Sequence, residues 1–310
     1  MIVFVAAGEG MGRGIRLAAL TMGAVLLLQN VAAAVSLADD RGRAVVLAAP
    51  AQRIVTLAPH LAEIAVAAGA GERLVGVARF SDFPEAVRRL PQVGDGARVD
   101  LERIIALKPD LILAWKSGNQ AADIERLETL GFPVFVTEPA RLTDIPRLLR
   151  AIGTLTGTVP AAEQVVDKYN NKINELQNSY GRHLPLRVFY EIWHRPLLTV
   201  NGRHIISDVL ALCGGRNVFG SVARLTPVVS SEAVLAAQPE VILGGGSAGG
   251  EDEFVAQWRT SRIGALRTLP AYYIAPDTIQ RPTPRIIEGA QAVCEALEKV
   301  RVSRQKIQKN

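Results

Sequence analysis

Short β-branched runs alternate with amphipathic segments over most of this chain. Each run has the length of one buried strand, and each amphipathic segment is long enough for two or three helical turns. Glycines at positions 69 and 131 mark two of the helix ends. The alternation predicts an α/β fold in which parallel sheets are flanked by helices. The strand candidates are 53–57, 74–78, 111–115 and 134–136, and the helix candidates are 61–68, 101–107 and 123–130.

One sequence pattern occurs twice, at 101–113 and again at 231–243. Both copies have a glutamate at the second position, then an apolar pair, an alanine, a proline followed by an acid, and a final Ile-Leu. A weaker repeat relates 64–70 to 209–215. Because the repeated unit is a helix, a proline and a strand, the repetition predicts two similar lobes, each with a mostly parallel sheet.

A single long helix is predicted between the two copies, at 160–180. Its apolar positions recur with helical spacing, and Pro160 suits the first turn. At about 1.5 Å per residue it spans about 30 Å, and one helical connection predicts a stiff clamp. The predicted divisions are a signal peptide at 1–34, an N-terminal segment at 35–52, the N-terminal lobe at 53–157, the linker helix at 158–182, the C-terminal lobe at 183–302 and a frayed polar tail at 303–310.

The first residues have the order of an export signal. Arg13 and Arg16 precede an apolar run at 17–28, and small residues follow at 31–34. A membrane anchor is the alternative, but about 12 apolar residues fall short of the roughly 20 that cross a bilayer. We therefore expect a cleaved signal peptide and a periplasmic protein. No cysteine lies near the cleavage site, so no lipid anchor is expected, and Met11 is an alternative start.

Composition excludes several classes of function. With 310 residues, 49% hydrophobic and 21% charged, the chain has the makeup of two folded domains. Its net charge of +5 is spread along the sequence, whereas nucleic-acid binding needs a concentrated basic surface. We expect no nucleic-acid partner. Two cysteines, Cys213 and Cys294, indicate one disulfide in an exported protein, with two buried free thiols as the alternative.

Catalytic and metal-binding patterns are absent from the sequence. No GxSxG, P-loop or strand-linked GxGxxG pattern is present, so the chain is not expected to be an enzyme. The four histidines have no HxH or HxxxH spacing, and no metal site is expected. His60 fits a turn histidine bonded to nearby backbone, although it could face the cleft. His194 is a second, weaker candidate for an axial ligand to a metal macrocycle.

Aromatic and polar residues follow the predicted strands, at the edge where two-lobed proteins bind ligands. Aromatic faces with a few hydrogen-bonding groups suit a large, flat, partly polar ligand. Phe83 and Phe189 fit the core better. The candidate ligand-binding residues are Phe80, Trp115, Trp193, Asp277 and Arg281, with Asp82 and Tyr190 beside them.

The repeated glutamates, Glu102 and Glu232, have two interpretations. Each opens a helix, where a carboxylate interacts favourably with the helix dipole and helps to cap the end. Symmetry would also place one glutamate on each lobe, where the pair could bind arginines of a two-fold symmetric membrane partner.

These motifs carry a family resemblance that extends from about Arg53 to Leu297. The chain resembles the helical-backbone class (class III) of ABC-importer solute-binding proteins, and within it the members that carry corrinoids. The segments that carry the resemblance are 56–59 with Glu63, 80–84, 101–104, 107–111 with 114–115, 213–219, 229–232, and 284–287 with 290–291 and Cys294.

The resemblance implies a periplasmic clamp that captures a vitamin B12-like corrinoid (cobalamin) and delivers it to a permease dimer with its ATPase. It implies no cofactor of its own, and we expect a monomer. It also implies a Cys213–Cys294 disulfide and permease docking by Glu102 and Glu232. The corrinoid would contact Phe80 and Trp115 of the first lobe and Asp277 and Arg281 of the second, with Trp193 aligned to a further aromatic contact.

The sequence departs from the corrinoid binders at two positions. Gly96 and Thr226 stand where those proteins have further tryptophans. The alternatives are therefore the same architecture with haem or a ferric siderophore, for which Arg281 and Arg285 could bind an anionic chelate. A more distant alternative is an exported enzyme on this fold, which would require a nucleophile–base pair in the cleft.

Overall fold

Parallel sheets form the centre of each half of the chain. The structure, a computed structural model, describes residues 34–96, 98–246 and 250–309. The predicted signal peptide lies outside these residues, apart from Ala34. Among the described residues no helix is long and apolar enough to cross a membrane.

The first lobe contains a four-stranded sheet with all strands parallel, in the order β4-β3-β5-β6. An antiparallel hairpin precedes the sheet in the chain. The hairpin is β1 (Val35–Ala38) and β2 (Ala44–Leu47), and the sheet strands are β3 (Ile54–Thr56), β4 (Leu74–Val77), β5 (Leu111–Trp115) and β6 (Val134–Thr137). The helices are α1 (Pro59–Ala67), α2 (Leu101–Leu107), α3 (Ala121–Thr129) and α4 (Asp144–Thr156), with 3₁₀ turns at Gly71–Arg73 and Glu85–Arg89.

One long helix, α5 (Val159–Tyr180), connects the two lobes, as the sequence predicts. Proline occupies its first turn, where the missing N–H costs nothing. Its apolar face is buried at Ala162, Val166, Tyr169 and Leu176. The Tyr169 hydroxyl donates to the Leu142 carbonyl oxygen at 3.0 Å, which ties the helix to the first lobe.

The second lobe has the same sheet topology as the first. Its strand order is β10-β9-β7-β8, again with all strands parallel. Numbered within each lobe, both sheets have the order 2-1-3-4, so the two similar lobes predicted from the repeat are confirmed. The strands are β7 (Leu186–Glu191), β8 (Gly215–Asn217), β9 (Val241–Gly244) and β10 (Ala271–Tyr273). The helices are α6 (Ile205–Leu212), α7 (Ser231–Ala236), α8 (Gly250–Arg259), α9 (Gly264–Arg267), α10 (Pro276–Ile279) and α11 (Ile286–Lys309).

The repeated segments have equivalent local structure. Asp100 caps α2 by accepting from the Arg103 N–H, and Ser230 caps α7 by accepting from the Ala233 N–H. After each helix, the residue before the repeated proline is left-handed, with φ of 47° at Lys108 and 50° at Gln238. The matched caps and turns give both copies the same helix-to-strand connection.

The two lobes share one hydrophobic core. A single cluster of buried side chains extends from the first lobe through α5 to the second, and includes Leu61, Val166 and Ile286. Separate clusters cover the opposite face of each sheet, around Ile104 in the first lobe and Phe254 in the second. A continuous core on one side of both sheets favours a stiff connection between the lobes.

The C-terminal helix corrects one prediction and confirms another. It runs to Lys309, so residues 303–309 continue α11 and do not form the predicted frayed tail. Cys294 of α11 is joined by a disulfide to Cys213, which directly follows α6. The predicted disulfide is confirmed, and it ties the last helix to the end of α6.

Candidate ligand-binding cleft

All five predicted ligand-binding residues lie at or beyond the carboxyl ends of sheet strands. Trp115 ends β5, Phe80 follows β4, Trp193 follows β7, and Asp277 and Arg281 follow β10. In a sheet of order 2-1-3-4, ligands bind outside these ends, where the strand order reverses. The fold therefore gives each lobe one polar and aromatic edge.

Charged side chains from both lobes meet in one cluster. Arg281 Nη1 lies 2.8 Å from Glu63 Oε1 and 2.6 Å from Asp82 Oδ1, and its Nη2 lies 3.0 Å from Asp277 Oδ1. Arg285 binds Glu63 through two hydrogen bonds, Nε to Oε2 at 2.9 Å and Nη2 to Oε1 at 2.8 Å. We call these five residues the cross-lobe ion cluster. It joins Glu63 and Asp82 of the first lobe to three residues of the second.

The sequence of α1 explains why Glu63 must be paired. The helix begins with Pro59 and is otherwise almost wholly apolar, and its face toward the core is fully buried. Only 3% of the Glu63 side chain is exposed. A carboxylate removed from water needs charged hydrogen-bond donors, and both Glu63 oxygens accept from guanidinium groups.

The same contacts shift the proton equilibria of the cluster. The hydrogen bond from Arg281 lowers the pKa of Asp82 below its usual value, and the Coulomb attraction adds to the effect. The carboxylates in turn raise the pKa of Arg281, against the opposing effect of burial. The ion pair between Asp82 and Arg281 is therefore formed throughout the neutral pH range.

Trp115 packs its ring against a buried histidine. The ring centroids of His60 and Trp115 are 5.0 Å apart with their planes nearly perpendicular. Burial, with a smaller contribution from the charge of Arg281, lowers the pKa of His60 to about 3. His60 is therefore neutral at pH 7. Its Nε2 is buried without a hydrogen-bond partner, and a ligand in the cleft cannot reach it in this conformation.

His194, the other weak candidate for an axial ligand, lies in a polar network of the second lobe. Its Nδ1 is 3.3 Å from Oε1 of the buried Glu191. The same carboxylate accepts from Gln257 Nε2 at 2.9 Å and Trp258 Nε1 at 2.7 Å. Burial raises the pKa of Glu191, against the hydrogen bonds that lower it. The two hydrogen bonds join the end of β7 to α8.

The exposed aromatics form no part of the cross-lobe ion cluster. Phe80 is 66% exposed and has a left-handed backbone, with φ of 67°, which is rare for a bulky residue. Trp193 is 50% exposed, and its indole N–H donates to the Arg195 carbonyl oxygen at 2.9 Å. Both rings keep a face free for a ligand.

The structure reveals two cluster members and one aromatic that the sequence interpretation underrated. Glu63 was noted only as part of a motif, and Arg285 only as a group for anionic ligands. Phe83 was expected in the core, but it is 42% exposed and the Arg285 guanidinium lies 3.8 Å from its ring centroid. Phe189, by contrast, is fully buried as expected. A single carboxylate in an otherwise apolar helix was the available signal for Glu63.

The two repeated glutamates are both exposed, near the start of α2 and α7. The N–H of Glu232 itself and the Ser230 hydroxyl lower the pKa of Glu232. Glu102 borders an open depression of about 790 Å³. A partner that docks over Glu102 meets charges of both signs, because four arginines, Arg79, Arg98, Arg103 and Arg126, line the same depression.

The described residues contain no group of three or more acidic, histidine or cysteine side chains that could hold a metal ion. The profile of the family described as "Periplasmic binding protein" matches residues 54–278. The chain belongs to this family. The match includes both sheets, α5 and most of the cross-lobe ion cluster.

Individual relatives are similar over nearly their whole length. The vitamin B12-binding protein of Vibrio parahaemolyticus is 35% identical over 255 residues, which are 82% of this chain and 92% of the relative. That of Yersinia pestis (strain Pestoides F) is 34% identical over 250 residues, which are 81% and 88% of the two chains.

Solved structures have the same architecture. The periplasmic vitamin B12-binding protein BtuF of Vibrio cholerae aligns with a TM-score of 0.74 and 32% identity, over 81% of this chain and 98% of that one. The periplasmic heme-binding protein RhuT of Roseiflexus sp. RS-1 aligns with a TM-score of 0.68 at 23% identity, over 79% and 98%, which shows the shared fold alone. The relatives compared are named as binding proteins and not as enzymes.

Proposed function

We propose that this protein captures a corrinoid between its two lobes, in the periplasm, and delivers it to the permease of an ABC importer. The proposal rests on one combination of features: exposed or partly exposed aromatic side chains at the strand ends, and arginines between the lobes that are already paired with carboxylates. Phe80, Trp115 and Trp193 supply the faces at the strand ends. Each arginine of the cross-lobe ion cluster already has a carboxylate partner.

A corrinoid suits such a surface because it is large, flat and rimmed by uncharged amides. Aromatic rings can contact the macrocycle, and exposed carboxylate oxygens of Asp82 and Asp277 can accept from amide N–H groups. Names of the relatives at 34–35% identity support the same ligand. Haem and ferric siderophores fit less well, because their anionic groups would compete with Glu63 and Asp82 for the arginines.

Delivery requires a surface for the permease. We place it at Glu102 and Glu232, which are exposed at equivalent positions of the two lobes. Their symmetry supports an interface with a two-fold partner. We also propose that the signal peptide is cleaved, that the permease works with an ATPase, and that the binding protein is a monomer.

The proposal is tested by incubating the purified protein with cyanocobalamin and removing free ligand by gel filtration. Cyanocobalamin absorbs visible light, so retained ligand is measured directly in the protein fraction. We expect about one equivalent to remain bound. A colourless protein fraction at micromolar protein and excess ligand would reject corrinoid capture.

A further inference from the structure

Glu63 occupies a position that controls the charge of the cleft. Its two carboxylate oxygens accept all three of its hydrogen bonds from Arg281 and Arg285 of the opposite lobe. We propose that Glu63 is a specificity-determining residue, whose carboxylate neutralises both arginines and thereby excludes ligands that carry carboxylate groups. The inference rests on the proposed function and extends it to the chemical class of ligand that the site rejects.

The arginines would form a strong anion site without Glu63. Guanidinium groups bind carboxylates through paired, charge-assisted hydrogen bonds. Both guanidiniums retain some exposure, 18% of each side chain, so a ligand at the cleft edge can approach them. Instead, three carboxylates face two guanidiniums, and the cross-lobe ion cluster carries one net negative charge.

Burial makes Glu63 the dominant carboxylate of the three. Its side chain is 3% exposed, against 41% for Asp82 and 62% for Asp277. Coulomb interactions weaken in contact with water, so the buried charge acts most strongly on the arginines. Glu63 is also the residue of the first lobe that binds both arginines.

A ligand carboxylate that binds through the same guanidinium nitrogens, Nη1 of Arg281 or Nε and Nη2 of Arg285, displaces Glu63 from them. Displacement would leave a buried carboxylate unpaired, which is among the most costly events in a protein interior. An uncharged amide needs no such displacement, because it can bind the outer oxygens of Asp82 or Asp277. The cleft therefore discriminates by penalising the wrong ligand.

A pair of ligands with nearly the same shape and different charge tests this inference. Cyanocobalamin and its monocarboxylic acid, in which one propionamide is hydrolysed, differ in one charge and hardly in shape. Calorimetry gives the ratio of their dissociation constants for wild type and for Glu63→Gln. We expect wild type to bind the amide about tenfold or more tightly than the acid. In Glu63→Gln this ratio of dissociation constants should change by about tenfold in favour of the acid, so that the preference for the amide becomes smaller or reverses.

The control variant is Glu125→Gln, which removes an exposed carboxylate from α3 and should leave the ratio unchanged. The double variant Glu63→Gln with Arg285→Gln restores the charge balance and should restore the preference. An unchanged ratio in folded Glu63→Gln would overturn the inference.

Two further measurements keep the inference testable. If Glu63→Gln does not fold, Arg285→Gln alone should increase the preference for the amide, and an unchanged or smaller preference would overturn the inference. If wild type binds neither cobalamin, the proposed function fails. Selectivity is then measured with hemin, which Glu63→Gln must bind about tenfold more tightly than wild type does.

Discussion

At the scale of single residues, the fold holds Trp115, a proposed ligand contact, in one orientation. It is the last residue of β5, and its edge-on packing against His60 fixes the direction of the indole. Because Trp115 remains partly exposed, the exposed part of its indole is available to a ligand without rearrangement. A preorganised aromatic contributes to affinity with little entropic cost.

Trp115→Ala should weaken cyanocobalamin binding by about 10- to 100-fold, as for a central aromatic contact. The fold should be retained, because the side chain is not part of the fully buried core. Calorimetry measures the affinity and circular dichroism the fold, with exposed Leu184→Ala as the control. Unchanged affinity would remove Trp115 from the site.

The lowered pKa of His60 predicts that the free energy of unfolding depends on pH. Its pKa falls from an ordinary 6.5 to about 3 in the folded protein, so the unfolded chain binds the proton more tightly. The part of the unfolding free energy that depends on a neutral His60 is fully present above pH 6.5, and it is lost as the pH falls toward 3. Between pH 7 and pH 5 the loss is about 2 kcal/mol.

His60→Gln should remove that loss. We expect the unfolding free energy of wild type to fall by about 2 kcal/mol more than that of the variant between pH 7 and pH 5. Urea denaturation at the two pH values measures both. His204, whose pKa is also lowered by burial, to about 4, is present in both proteins and cancels. Equal losses would contradict a buried neutral His60.

The sequence indicated the positions of the proposed site residues better than it indicated their partners. The strand-end positions of Trp115, Asp277 and Arg281 could be predicted because each residue ends or follows a recognisable strand. The pairing of Arg281 and Arg285 with Glu63 could not, because more than 200 residues separate the partners along the chain. The contact of Phe83 with Arg285 was equally hidden, since the arginine comes from the other lobe.

At the scale of secondary structure, predictions succeeded where local signals were strong. The bounds of α2 and β5 match the sequence pattern because a cap, a repeated proline and a β-branched run define them. The short strand β8 (Gly215–Asn217) has no such pattern and forms only through pairing with β7. The helical continuation of α11 past 303 was also not foreseen.

The disulfide between the end of α6 and α11 should contribute strongly to stability. It closes a loop with a sequence separation of 81 residues. Replacing both cysteines by alanine should lower the free energy of unfolding by about 4 kcal/mol, measured by urea denaturation. Unreduced wild type should contain no alkylatable thiol by mass spectrometry. Two reactive cysteines, or a loss below about 1 kcal/mol, would contradict this role.

At the scale of the whole molecule, the proposed ligand contacts and the proposed docking residues lie on different surfaces. The proposed ligand contacts lie at the strand ends, whereas Glu102 and Glu232 lie on α2 and α7. The shared core and α5 connect the two lobes as one unit. Changes at the two glutamates should therefore affect transport without affecting capture.

Glu102→Lys with Glu232→Lys should reduce transport about tenfold or more, while the dissociation constant for cyanocobalamin stays the same. Uptake into vesicles that contain the permease and its ATPase measures transport. Matched reversals at exposed positions of both lobes, Glu125→Lys with Glu253→Lys, serve as the control. Normal uptake by the first variant would contradict the docking role.

The proposed function requires the cleft to select a corrinoid over anionic chelates. Calorimetric titration of the purified protein with cyanocobalamin, hemin and a ferric siderophore tests it most directly. We predict tight one-to-one binding of cyanocobalamin alone. Binding of hemin or the siderophore without cyanocobalamin would contradict the claim, and would show that the aromatics absent at Gly96 and Thr226 decide the ligand.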